Sequence, residues 1–240
     1  MELLDQTALV TGGTAGIGLA CARLLAETGA SVIITGRDTE RGHAAVTDID
    51  GRVRFVRADL ADIESVQSLI RQAGNVDILV NNAAHFPAAL TVEQEIEAFE
   101  QTFDTNVRGL YFLAAGLVGG MMERGHGSVV NVTTMVASKG VAGASVYSAS
   151  KAAVESLTRT WAAEFGSRGV RVNSVAPGPT RTDGVAAAWG ETNEELGRAL
   201  PLGRTAAPEE IAQAVVFLAS PRASFVSGST LHVDGGGSAV

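Results

Sequence analysis

Short runs rich in Val and Ile recur at 8–11, 32–35, 53–56, 78–80, 129–132, 170–175 and 231–233, each closed by Gly, Asn, Asp or Pro. Between them the apolar positions switch to helical spacing over 17–28, 39–48, 63–72, 95–124, 146–167 and 209–219. Strands without polar alternation are buried on both faces, which requires helices on each side of a parallel sheet. The pattern predicts an α/β fold: a doubly wound parallel sheet of about seven strands with helices on both faces. Ligands in such sheets bind beyond the carboxyl ends of the strands, where Gly12, Asp59, Asn81, Thr133 and Pro177 fall.

Composition narrows this picture. With 240 residues, 46% hydrophobic and 18% charged, the chain fits one large domain over 1–240 with a substantial core. The 28 glycines fall singly or in short turns, with no linker or repeat between them. A formal charge of −8 argues against a nucleic-acid surface but leaves room for a small phosphate ligand. Cys21 stands alone on the apolar side of a predicted helix, so packing in a reducing cytoplasm is the expected setting. The start, Met1-Glu2-Leu3-Leu4-Asp5, lacks the features of a signal peptide. The longest apolar stretch, 110–122, falls short of the roughly 18 residues a membrane span needs, so no membrane partner is expected. His43, His85, His126 and His232 are scattered, so no metal site is expected.

Two segments carry chemistry. The first, Thr11-Gly12-Gly13-Thr14-Ala15-Gly16-Ile17-Gly18, joins the first strand to the first helix. Helix N-terminal amides and the positive end of the dipole can hold a pyrophosphate there, so Gly12, Thr14, Gly16, Ile17 and Gly18 are candidate dinucleotide contacts. The second strand runs into Gly36-Arg37 where an acid would otherwise hold the adenosine ribose. Arg37 suits a 2′-phosphate, which favours NADP. NAD stays open through Asp38, although Asp38 reads better as a helix N-cap. The second segment, Tyr147-Ser148-Ala149-Ser150-Lys151, places a phenol and an ammonium one helical turn apart. At roughly 5 Å and an effective dielectric of about 20 their attraction is about 3 kcal/mol, enough to bring a phenol from about 10 down toward about 8. Such a tyrosine could protonate an alkoxide.

With these pieces in place the chain resembles the short-chain dehydrogenase/reductase family, a Rossmann-type fold, over nearly its whole length. The matching residues are Thr11-Gly12 with Gly16 and Gly18, Asp59-Leu60, Asn81-Asn82-Ala83-Ala84, Asn106, the strand 128–134, Tyr147 to Lys151, Pro177-Gly178 and Asp234-Gly235-Gly236. The resemblance implies that Tyr147 is the general acid or base and that Lys151 lowers its pKa and binds the nicotinamide ribose. It further implies that Asn106 holds a water in a proton relay and that Asp59 and Leu60 meet adenine. Asn82 and Ala83 would flank the nicotinamide ribose, while Pro177, Gly178, Thr180 and Thr182 border the nicotinamide. Asn106 and Asp59 also have a plainer role open to them, as helix caps or kinks. A homotetramer built through the helices over 95–124 and 146–167 is implied as well.

Two residues depart from the family pattern. Asn-Asn-Ala ends in Ala84 rather than Gly, a small change. The family's substrate-binding serine is replaced by Thr134, which keeps the hydroxyl but adds a methyl that restricts χ1. Thr133 and Ser138 are alternative donors, and His85 and Phe86 lie where they could touch substrate. The stretch 183–201, with Val185, Ala186, Ala187, Ala188, Trp189 and Leu196, reads as an apolar loop over the substrate. Together with Met135, Val136 and Val141 it suits a small, largely apolar carbonyl or alcohol. These residues predict an NADPH-dependent ketone reductase. Two alternatives stand beside it: a β-ketoacyl carrier-protein or coenzyme A reductase, and a weakly catalytic cofactor-binding redox sensor. The run Glu123-Arg124-Gly125-His126 offers an acidic carrier one firm positive charge.

Overall fold

The computed structural model describes residues 2–240, with Ala188 and Trp189 as backbone. Strands β1 (Thr7–Thr11), β2 (Ser31–Gly36), β3 (Val53–Arg57), β4 (Ile78–Asn81), β5 (Gly127–Val132), β6 (Val170–Pro177) and β7 (Thr230–Val233) form one sheet in the order β3-β2-β1-β4-β5-β6-β7. Every pairing is parallel, and Val10 of β1 lies level with Ile34 of β2 and Val80 of β4. The chain builds outward from β1 in one direction and from β4 in the other. A crevice therefore opens beyond the carboxyl ends of β1 and β4.

Alternate residues of each strand feed opposite faces. Val10, Ile34, Val80, Val130 and Val175 pack on α1 (Gly16–Glu27) and α9 (Pro208–Ala219), through Cys21, Leu25, Ile211 and Val215. Leu9, Ile33, Leu79, Val129 and Val172 pack on α3 (Ile63–Ala73), α5 (Leu110–Arg124) and α6 (Ser145–Phe165), through Val66, Leu69, Leu113, Met121, Val154 and Trp161. Both faces are covered, as the unbroken Val and Ile runs require. The packing role expected of Cys21 holds: it is fully buried, and burial pushes its thiol up to about 12. Helix α2 (Thr39–Asp48) starts at Asp38, whose carboxylate accepts from Arg41 N at 3.0 Å, the N-cap role expected of it. No helix of the described residues is long and apolar enough to cross a membrane.

Two elements differ from the sequence pattern. The helix expected over 95–124 is divided into α4 (Ile96–Phe103), a wider π turn over Asp104–Gly109, and α5. Gly109 makes this course feasible, because a Cβ there would sit 2.0 Å from Leu60 O. The stretch 183–201, expected as a loop, forms α7 (Asp183–Trp189) and α8 (Glu191–Arg198), separated by Gly190 at φ +51°. The Thr182 hydroxyl caps α7 by accepting from Val185 N at 3.2 Å.

Candidate active site

A single cleft of about 1170 Å³ runs along the strand ends. That exceeds the roughly 1,000 Å³ of the larger ordinary small-ligand pockets, so it has room for an extended ligand with a second molecule beside it. Gly12, Thr14, Gly16, Ile17, Arg37, Asp59, Leu60, Asn82, Ala83, Thr134, Tyr147, Lys151, Pro177, Gly178, Thr180 and Thr182 all line it, as do His85 and Phe86. Of the expected site residues, Gly18 and Asn106 do not. Gly18 packs beneath the turn, where a Cβ would meet Gly12 O at 2.1 Å.

The glycine-rich turn is braced from β4. Asn82 Nδ2 donates to Thr11 O at 3.0 Å and Gly12 O at 3.2 Å, while Thr11 Oγ1 accepts from Asn82 N and Ala83 N. At Gly12, with φ +63°, a Cβ would press to 2.9 Å on Asn82 Nδ2 and 3.0 Å on Ala83 Cα. Gly12, Thr14, Gly16 and Ile17 bring the turn and the first residues of α1 to the cleft, a place that suits a pyrophosphate. At the far end Arg37 lines the cleft, and among the described residues its guanidinium has no hydrogen-bond or ion-pair partner. Arg41, which sequence reasoning did not single out, lines the same end. Its signal was its place in the first turn of α2, soon after Arg37 in the chain. The Thr35 hydroxyl beside them is buried without a partner. These donors fit a dinucleotide.

At the other end Thr134, Tyr147 and Lys151 converge. Thr134 Oγ1 accepts from Val136 N at 3.4 Å, which leaves its own proton free to donate. The alternative donors are committed: Thr133 Oγ1 points to Glu155 Oε1 at 3.0 Å and Val175 O at 3.2 Å, and Ser138 Oγ to Met135 O at 3.2 Å. Tyr147 is half-buried against Phe86, with ring centroids 6.1 Å apart. Lys151 is fully buried, donates to Val132 O at 2.7 Å, and lies 5.8 Å from the centroid of the Tyr147 ring.

The expected lowering of the tyrosine pKa is corrected here. Burial pushes the Tyr147 phenol up to about 12 and Lys151 down to about 8, since removal from water penalises the charged form of each. Coulomb attraction at an effective surface dielectric neglected that cost. Asn106 stands in the π turn, the kink role left open to it, and does not line the cleft. Its Oδ1 accepts from His85 N at 2.8 Å and its Nδ2 donates to His85 O at 2.9 Å and Ser150 Oγ at 3.0 Å, so its side chain clamps the cleft wall from behind. The π turn places it there. No group of His, Cys, Asp and Glu side chains among the described residues is arranged to hold a metal ion.

The fold and cleft fit a dinucleotide-binding protein, and comparison with known proteins defines the class. A family model described as Enoyl-(Acyl carrier protein) reductase matches residues 12–238. The 3-oxoacyl-(acyl-carrier-protein) reductase of Vibrio harveyi is 39% identical over 241 residues, covering 98% of each chain. A solved structure described as a short chain dehydrogenase/reductase family protein superimposes with a TM-score of 0.97 at 64% identity, over 100% of both chains. Another, from Beutenbergia cavernae, is described as a candidate NAD(P) dependent gluconate 5-dehydrogenase with NADP bound at low occupancy. It gives a TM-score of 0.92 at 36% identity, over 100% of this chain and 99% of its own. The chain belongs to the short-chain dehydrogenase/reductase family, oxidoreductases acting on CH–OH and carbonyl groups.

Proposed function

We propose that this chain is an NADPH-dependent reductase of a small, largely apolar ketone. The observation that carries the reading is the placement of Tyr147, with Lys151 beneath it and Thr134 beside it, at one end of a cleft whose other end carries Arg37 and Arg41. A guanidinium pair suits a 2′-phosphate, while Asp38, which also lines the cleft, gives one carboxylate oxygen to Arg41 N and keeps the other for a ribose diol. When bound, the dinucleotide supplies the hydride that adds to the carbonyl carbon. The protein's own residues manage the oxygen. Thr134 donates its free hydroxyl proton to the carbonyl oxygen, and Tyr147 delivers a proton as that oxygen becomes an alkoxide. A phenol held near 12 keeps its proton at neutral pH and still yields it to an alkoxide, a far stronger base than a phenolate. Lys151, mostly protonated below about 8, stabilises the phenolate left behind.

The walls suit an apolar substrate. Phe86, Met135, Val136, Val141, Val185, Leu196 and Leu200 line this half of the cleft. The names of the curated relatives favour a 3-oxoacyl thioester as a second reading. Against a carrier protein, Arg124 is held by Asp77 at 3.1 Å and Val76 O at 2.6 Å, so the cation before β5 is already neutralised. We also infer a homotetramer, in keeping with Phe99 on α4 and Tyr111 and Phe112 on α5, which remain substantially exposed.

The test is a cofactor-oxidation screen of NADPH against NADH over ketones, keto esters, quinones and acyl thioesters. The reading expects turnover of a free ketone or keto ester, with kcat/KM favouring NADPH by about tenfold or more, the worth of a charge-assisted phosphate contact. Turnover confined to carrier-bound thioesters favours the second reading. Tight NADPH binding with no turnover of any member is the behaviour of a redox sensor.

A further inference from the structure

Among the described residues, four cations line the cleft: Arg37 and Arg41 at one end, Lys151 beneath the phenol, and Lys139. The chemistry above leaves Lys139 without a task. It follows Thr134 closely in the chain, past the short turn over Met135–Ala137. Its ammonium donates to Gly237 O at 2.8 Å and Val240 O at 3.1 Å. Gly237 in turn abuts the substrate half, since a Cβ on it would lie 2.8 Å from Leu200 Cδ2 and 3.1 Å from Met135 Cε. Leu200 and Met135 both line the cleft. The ammonium thus stands at the rim of the apolar half, away from the adenosine end.

An ammonium has three donors, and two of them are used, one on Gly237 O and one on an oxygen of the last residue, Val240, so a ligand anion would take the third donor and compete with that end of the chain. No Asp or Glu side chain among the described residues pairs with it. Met135, Val136, Val141 and Leu200 line the same cleft as Thr134, Tyr147 and this cation. We propose that Lys139 is a specificity-determining residue that recognises an anionic group of the substrate, so that the enzyme prefers an oxo compound carrying a negative charge to its neutral counterpart. The anion has two sources, the carboxylate of an oxo acid or the phosphates of a coenzyme A thioester. This inference rests on the reductase reading of the same cleft.

The experiment compares acetoacetate and laevulinate with their methyl esters, and acetoacetyl-coenzyme A with the neutral N-acetylcysteamine thioester, in the wild-type protein, Lys139→Met and Lys139→Arg. An exposed ion pair is worth little, so the expected preference for the charged member of at least one pair is about two- to fivefold, expressed in KM and shrinking with added salt. Lys139→Met should abolish that preference and Lys139→Arg should keep it. Preference in the acid pairs identifies a carboxylate, and preference in the thioester pair alone identifies the phosphates. The proposal is overturned if the wild-type protein treats both members of every pair alike. It is equally overturned if Lys139→Met lowers both members by one factor, the mark of a clasp for the 237–240 segment. Calorimetric binding of hexanoate against hexanamide separates this inference from the reductase reading. A Lys139-dependent preference for hexanoate without turnover of any ketone sinks the reductase and leaves the anion site standing. Turnover without anion preference does the reverse.

Discussion

Burial moves Tyr147 and Lys151 in opposite directions, and both moves have measurable consequences. Lys151 keeps its proton only to about 8 in the folded protein, against an ordinary 10.5. Reduction should therefore hold a plateau below about pH 8 and decline as the ammonium is lost above it. Stability should do the opposite. Between about 8 and 10.5 the unfolded chain binds the extra proton, so stability rises with pH across that window. The Tyr147 phenol contributes the other sign, lost stability, as pH climbs from 10.0 toward about 12. Paired pH profiles of kcat and of urea unfolding would check this; parallel rather than opposed trends between pH 8 and 10 would contradict it. The identities of Tyr147, Lys151 and Thr134 were legible in the sequence because spacing on one helix and a strand end fixes them. Their protonation was not, because the depth of burial depends on helices far away in the chain.

Elements were legible where the pattern is local and strong. The predicted strands fall within a residue or two of β1 to β7, because continuous Val and Ile runs have few other uses. The π turn was not legible: 95–124 reads as an unbroken helix, and the widening at 104–109 reflects where Asn106 must reach and how closely Gly109 passes Leu60. Helices α7 and α8 were overlooked although Thr182 as N-cap, the first-turn acids Glu191 and Glu194, and Arg198 in the last turn of α8 all signal them. The clamp that Asn106 makes on both backbone groups of His85 predicts a large effect for its size. Asn106→Ala leaves two partly buried backbone groups of His85 and the buried Ser150 hydroxyl without this partner and should destabilise the protein by about 2–4 kcal/mol in urea titration. A loss below about 0.5 kcal/mol, within the range of ordinary surface changes, would show the clamp to be incidental.

Across the whole molecule, residues from every part of the chain meet on one rim, because the sheet reverses its direction of growth between β1 and β4. That convergence was legible from the motifs, which are sequence-local and fall at strand ends. Arg41 and Lys139 were not: each is an unremarked cation on a helix or loop until the fold brings it to the cleft. Gly18 packs beneath the turn rather than lining the cleft, since a motif glycine serves packing as readily as contact. The account depends on one cleft doing two jobs, binding a dinucleotide along its length and supplying a proton at one end. The most direct test is Tyr147→Phe, assayed for NADPH affinity and for turnover of the best ketone from the screen. Removing only the acid should leave Kd for NADPH within about threefold and cut kcat by roughly 100- to 10,000-fold. Turnover kept at the wild-type rate with NADPH still bound would contradict the assignment.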